Sequence, residues 1–371
     1  MNAKIAQFHE ACIDCKSCMK GCPMLYSFTI SPKTLLHHFT TEKPTSTISF
    51  SCATCGLCAQ ACPKDIDFGE VFEHAKKEYA SDKKVLKKYG YGAVVFHQKS
   101  SFSKLFSTTK KFTQGEHTHV AFMPGCALAS YSPKLVYTIF DYLRSKLPGI
   151  GIIQQCCGTP TRMMGDEKQF KRYHSQLEKE LEAMGATTVV TACENCYMSI
   201  KNNAPHINIV SLYSVLNEIG VPQEVVGCYT NTPKVALHDP CPTRYENKLH
   251  EDVRALMHTI GLPFEEFKAN REKTLCCGSG GMLELTNSAL AHEQMRTRAN
   301  QTECESIVSY CQSCAESMSK GGKKGLHLLD FIFNPAMPNQ QKEQGTLKKW
   351  YNRYRSRAII DAIKDVKRIN H

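Results

Sequence analysis

The chain has a single tryptophan in 371 residues and no long apolar run. A membrane-spanning helix needs about 20 consecutive apolar residues, and stretches such as Leu326 to Phe333 fall far short of that. Met1 to Lys16 lacks the apolar centre of a secretory signal. No Gly-x-Gly-x-x-Gly fingerprint follows a strand, so flavin and nicotinamide are expected on other chains. These absences predict a cytoplasmic protein, in which thiols stay reduced.

Against that background stand 20 cysteines. In a reducing compartment they read as metal or redox ligands, not as disulfides. The remaining composition, 42% hydrophobic and 22% charged, is that of a folded globular chain. The length predicts two or three domains.

The formal charge of +11 is concentrated in two places. Residues 71–119 hold ten lysines and four acids and lack cysteine; residues 347–371 hold eight Lys or Arg and two Asp. Basic runs of this kind suit nucleic acid or an anionic surface. In the tail the aromatics among these basic residues are Trp350, Tyr351 and Tyr354, and no nucleic-acid partner is expected. Residues 71–119 read as a helix followed by an irregular connector. In the tail, Ile359, Ile363 and Val366 recur at helical spacing among Arg355, Arg357, Lys364, Lys367 and Arg368. This predicts a basic amphipathic helix that docks on its own domain or a partner, or lies on a membrane surface.

Cys12-x-x-Cys15-x-x-Cys18-x-x-x-Cys22-Pro23 is followed by Cys52-x-x-Cys55-x-x-Cys58-x-x-x-Cys62-Pro63. Three cysteines at intervals of three wrap one face of a cubane, and the fourth thiolate comes from the other motif. Cluster one is therefore assigned to Cys12, Cys15, Cys18 and Cys62. Cluster two takes Cys52, Cys55, Cys58 and Cys22. Gly21 and Gly56 ease the turns around the cluster. Structural zinc fits less well, since it needs only four ligands per site.

The other cysteines largely form a pattern that occurs twice. Cys126, Cys156-Cys157 and Cys193-x-x-Cys196 are matched by Cys241, Cys276-Cys277 and Cys311-x-x-Cys314 at offsets of 115, 120 and 118 residues. So constant an offset argues for internal duplication. Short β-like runs at 119–123, 187–191, 234–238 and 306–310 precede these cysteines, and helix-like stretches follow. Alternating strands and helices imply parallel α/β layers, with sites at the carboxyl ends of the strands. Five cysteines exceed what a cubane or a zinc ion needs, which favours an unusual cluster. His238 and Asp239 flank Cys241 as proton sources, or as a packed strand residue and a helix cap. Cys228 and Cys304 fit no motif and are expected to be buried, inert thiols.

The segments MPGCALASYSP (123–133), CCGTPTRMMGD (156–166), CENC (193–196), HDPCPTRYE (238–246), CCGSGGM (276–282) and CQSC (311–314) resemble the CCG domain of heterodisulfide reductase catalytic subunits. That domain also occurs in iron–sulfur subunits of anaerobic glycerol-3-phosphate, glycolate and lactate dehydrogenases. The resemblance covers nearly the whole chain and is closest in layout to the fused heterodisulfide reductase subunit. It implies an N-terminal helical, ferredoxin-type module with two [4Fe-4S] clusters (1–75), a basic linker (76–118), two α/β CCG domains (119–230 and 231–335) and a basic tail (336–371), an α+β/α/β architecture. It further implies two noncubane four-iron clusters as catalytic centres. One is held by Cys126, Cys156, Cys157, Cys193 and Cys196; the other by Cys241, Cys276, Cys277, Cys311 and Cys314. Pro242 stands where relatives often carry histidine.

The implied activity is thiol–disulfide oxidoreduction, with single electrons passed through the cubanes. The implied partners are a flavoprotein or cytochrome that carries flavin or haem, a small disulfide or thiol, and peripherally the inner face of the membrane. The alternative is an electron-transfer subunit of a flavin-dependent glycerol-3-phosphate or 2-hydroxyacid dehydrogenase.

Overall fold

The computed structural model describes residues 3–334 and 344–364. Val366, Lys367 and Arg368 of the expected tail helix lie outside the described residues.

The N-terminal part is built from short helices around the two cysteine motifs. Pro23 and Pro32 open helices, as fits a residue without an amide proton at a first helical turn. Gly21 and Gly56 have φ of +79° and +72°, a region glycine enters without steric cost. Leu25, Leu36, Phe68 and Phe72 fill this module's core. That core continues into Leu283, Leu290, Ala291 and Met295, from the second half of the chain.

Two sheets follow. The first holds β1 (Thr108–Lys110), β2 (Val120–Met123), β3 (Gly151–Gln154), β4 (Thr188–Thr191) and β5 (Asn208–Ser211), ordered β1-β3-β2-β4-β5. The second holds β6 (Val235–His238), β7 (Phe264–Glu266), β8 (Ser306–Ser309) and β9 (Lys324–His327), ordered β7-β6-β8-β9. All pairs are parallel except β1 with β3. Setting β1 aside, the two orders correspond strand for strand. Strands β2, β3 and β6 are buried along their whole length, as expected of parallel strands covered on both faces.

The two sheets share one apolar core, in which Phe122, Phe140 and Leu216 meet Leu237, Leu256 and Ile332. Tyr213 Oη donates to the Tyr310 carbonyl and Tyr229 Oη to that of Phe331, both at 2.8 Å.

The expected irregular connector is more ordered than its composition suggests. It contains helices Lys83–Lys88 and Tyr91–Ser101, and then β1, which pairs antiparallel with β3 (Thr108↔Gln154). Three residues are too few to show a period within a Ser-rich run; the open edge of the sheet recruits them.

The tail helix, Thr346–Ala362, docks on the first sheet's domain. Its buried residues are Asn352, Arg353, Ser356 and Ile360, so the docking face is largely polar; of the expected stripe, Ile363 packs against the shared core and Ile359 is half-buried. Asn352 Nδ2 donates to the carbonyls of Ser130 and Tyr131, and Ser356 Oγ to Gln154 Oε1 at 2.6 Å. Among the described residues, no helix is long and apolar enough to cross a membrane.

Candidate iron–sulfur centres

Cys12, Cys15, Cys18 and Cys62 line one small cavity. Cys22, Cys52, Cys55 and Cys58 line a second, together with Cys276. In each case the fourth cysteine comes from the other motif. Cys15 is exposed, so the first group reaches the surface.

The second group lies where the N-terminal module meets the β6–β9 domain. Two buried cations stitch this boundary. Lys76 Nζ donates to the carbonyls of Cys52 (3.3 Å) and Gly281 (3.2 Å). Arg244 donates through Nη2 (2.9 Å) and Nε (3.3 Å) to the Cys55 carbonyl, and through Nη1 to that of Glu272. Gly281 is required here: a Cβ on it would lie 2.1 Å from the Cys52 oxygen.

Eight of the ten repeat cysteines stand between a strand and the helix that follows it or in that helix's first turn; Cys276 and Cys277 come later, after β7 and the short helix Arg271–Lys273. Cys126 opens helix Cys126–Tyr131; Cys193 and Cys311 cap helices Glu194–Asn203 and Gln312–Lys320. Free amides at such starts suit anionic groups. Nine of the ten line one cavity of about 310 Å³ between the two sheets' domains. The tenth, Cys276, turns towards the second cubane motif and is in hydrogen-bond contact with Cys55.

Within each set the sulfurs touch in series. Cys156 contacts Cys126 and Cys157, and Cys196 contacts Cys157 and Cys193. Cys276 contacts Cys241 and Cys277, and Cys314 contacts Cys277 (3.2 Å) and Cys311. These bonds hold Cys126, Cys157 and Cys277 well below the ordinary thiol value as acceptors, and Cys156, Cys276 and Cys314 well above it as donors. In the cubane motifs, burial pushes Cys18 and Cys22 up to about 12. Sulfurs packed this closely cannot all ionise without cations among them. Soft thiolate donors in sets of four and five fit iron–sulfur clusters.

Several neighbours escape sequence reasoning. Glu194, between Cys193 and Cys196, is 2% exposed, and its side chain meets Cys311 of the other set. Burial pushes its carboxyl up to about 8. His97 comes from helix Tyr91–Ser101, with Nε2 3.7 Å from Cys156 Sγ. Glu194 stands inside the CENC segment, whose spacing does not point to the other set, and His97 belongs to no motif; the fold brings both in.

The flanking residues of Cys241 take defined roles. Asp239 does not cap the following turn. Its carboxylate accepts two bonds from Arg254 (2.9 Å each), one from the Arg271 amide (2.7 Å) and one from Tyr310 Oη (3.1 Å). Burial raises this carboxyl, but the Arg254 bonds outweigh it and leave it below its ordinary value. An ionised, fully bonded carboxylate is no proton source. His238 is fully buried, and burial keeps its imidazole below its ordinary value. Cys228 and Cys304 correct another expectation: Cys228 is exposed and donates to the Glu224 carbonyl, and Cys304 is half-buried. The turn at Gly227, with φ of +68°, delivers Cys228 to the surface.

The profile of the 4Fe-4S dicluster domain matches residues 11–67, and that of the cysteine-rich CCG domain matches twice, at 120–201 and 235–319. A fumarate reductase (CoM/CoB) subunit of Methanothermobacter marburgensis is 21% identical over 87% of this chain and 71% of its own length. A dihydromethanophenazine:CoB–CoM heterodisulfide reductase subunit of Methanosarcina barkeri is 22% identical over 73% of this chain and 72% of its own. The glycolate oxidase iron-sulfur subunit of Escherichia coli is 22% identical over 57% of each. The chain thus belongs to the CCG-domain iron–sulfur proteins, oxidoreductases whose members include heterodisulfide reductase subunits and a glycolate oxidase iron–sulfur subunit.

Proposed function

We propose that this chain is an oxidoreductase subunit that passes single electrons from two cubane clusters to paired noncubane clusters, where a small disulfide is reduced or formed. The observation that carries the reading is one cavity lined by all five cysteines of the first set and four of the second. Clusters bound there would supply one-electron transfer and iron able to hold sulfur.

The chain's own residues give the route a direction in space. Cys15 opens the first group to a partner at the surface. Cys55 touches Cys276, so the second repeat is the entry to the pair. Glu194 spans from the first set to Cys311 of the second and lies beside the cavity with a protonatable carboxyl. Arg162, ion-paired with Glu73 at 3.4 Å, supplies the cavity wall with a cation for an anionic thiol. A flavoprotein or cytochrome is the proposed electron partner, in the cytoplasm or at the inner membrane face.

The test is anaerobic purification with native partners, followed by iron and sulfide analysis and a disulfide screen with a reduced viologen dye. Disulfide-dependent dye oxidation that Cys156→Ala abolishes is expected. Full cluster content with no thiol formed from any disulfide would overturn disulfide chemistry.

A second reading has specific support in the glycolate oxidase iron-sulfur subunit among the relatives. In it the chain relays electrons from a flavin-dependent 2-hydroxyacid or glycerol-3-phosphate dehydrogenase. Co-purification with such a dehydrogenase, and reduction of the clusters by its substrate, would favour it.

A further inference from the structure

The two five-cysteine sets each have one imidazole beside them, and the two imidazoles come from unrelated places in the chain. In the second repeat it is His238, the last residue of β6, with a ring nitrogen within 4.8 Å of the sulfurs of Cys277 and Cys314. The corresponding last residue of β2 in the first repeat is Met123, which has no such nitrogen. The first set takes its imidazole from outside the repeat. His97 projects from helix Tyr91–Ser101, and its nitrogen lies within 4.8 Å of the sulfurs of Cys126 and Cys156.

An arginine holds each ring. Arg298 Nε donates to His238 Nδ1 at 3.1 Å. Arg353 Nη1 approaches His97 Nδ1 at 3.5 Å. Arg353 is itself fixed: it is 2% exposed, donates through Nη2 to Ser101 Oγ at 2.7 Å, and lies over the Trp350 ring at 4.6 Å. A guanidinium only donates hydrogen bonds. His97 Nδ1 facing Arg353 is therefore the acceptor, and the ring proton sits on Nε2, 3.7 Å from Cys156 Sγ. With its lone pair turned to Arg353, His97 is suited to donate to sulfur and not to bind iron.

We propose that His97, oriented by Arg353, donates its Nε2 proton to the Cys156 sulfur and is a positioning residue that raises the reduction potential of the first five-cysteine site. Hydrogen bonds to cluster sulfurs favour the reduced, more negative state. The linker helix and the tail helix together thus set the potential of a site to which neither contributes a cysteine. The inference rests on the reading that these cysteines hold a cluster.

The test is a redox titration followed by electron paramagnetic resonance on the full chain, purified anaerobically with its partners. The signal lost in Cys126→Ala marks the first site. In His97→Phe its midpoint is expected to move to more negative potential, with the second site's midpoint and the iron and sulfide content unchanged. Arg353→Gln should move it the same way by less, and His97→Gln, which keeps an N–H donor, should recover part of the shift. An unmoved midpoint in His97→Phe overturns the proposal. So does loss of iron on replacing His97 but not Arg353, which would make the imidazole a ligand. If His97→Phe fails to fold, an unmoved midpoint in Arg353→Gln overturns it instead. Wild-type protein without iron at Cys126 and Cys156 would fail the cluster reading itself, a result separable from either.

Discussion

His327 ends β9 and caps the helix that follows, its Nδ1 accepting the Leu329 amide at 3.2 Å. It is fully buried, Nε2 has no hydrogen-bond partner among the described residues, and burial pulls its imidazole down to about 3. The folded protein therefore holds it neutral, whereas the unfolded chain protonates it near its ordinary value of about 6.5. The stability it contributes is complete above that value and is lost as pH falls towards 3. Between pH 8 and pH 5.5 the unfolded state gains most of one proton that the folded state refuses. By linkage this costs about 1.4 kcal/mol, a tenfold change in the folding equilibrium.

The variant His327→Asn keeps a capping acceptor and removes the titrating ring. Urea unfolding followed by circular dichroism, for both proteins at both pH values, isolates this residue, because the effects of other histidines cancel in the comparison. The expected result is a variant with a cavity cost at pH 8 that regains about 1.4 kcal/mol on the wild type at pH 5.5. An equal gap between the two proteins at both pH values would refute the neutral, buried assignment.

On the proposed reading, Cys156→Ala should change the signal of the first five-cysteine site and leave those of the two N-terminal motifs intact, whereas Cys276→Ala, which also removes the contact with Cys55, should slow electron transfer into the pair; freeze-quench spectroscopy separates the two. Lys76→Met removes the bond to Cys52 within the module and the bond to Gly281 across the boundary to the second sheet's domain, and should destabilise the protein by about 2–4 kcal/mol in urea unfolding. Arg254→Met strips Asp239 of two bonds in a buried site and should cost about 3–5 kcal/mol, part of which Asp239→Asn in the same chain restores.

What the sequence revealed follows from local rules. The β-branched runs 187–191 and 306–310 become β4 and β8, because alternating strands and helices leave few other arrangements. Cysteine spacing pointed to the clusters because thiolate geometry around iron is short-range. The sequence was silent where chemistry depends on distant segments. His97 and Cys156 are 59 residues apart, and Arg353 is 256 from His97. No period or motif links them. The tail's apolar stripe told only part of the docking: Ile363 packs against the core, but the helix also buries Asn352, Arg353 and Ser356 against carbonyls and a glutamine, which hydropathy cannot register.

The shared core between the N-terminal module and residues 283–295 has a consequence for synthesis. The module leaves the ribosome first, but Leu283, Leu290, Ala291 and Met295, which complete its apolar packing, are translated about 200 residues later, a wait of about 10–40 s at typical elongation rates. Throughout that interval the nascent module presents a bare apolar flank, and the loop from Cys52 to Cys55 stands without the arginine and glycine that later close over it. The interval leaves the Cys52 to Cys55 loop open to solvent, and it closes when the last third of the chain folds down.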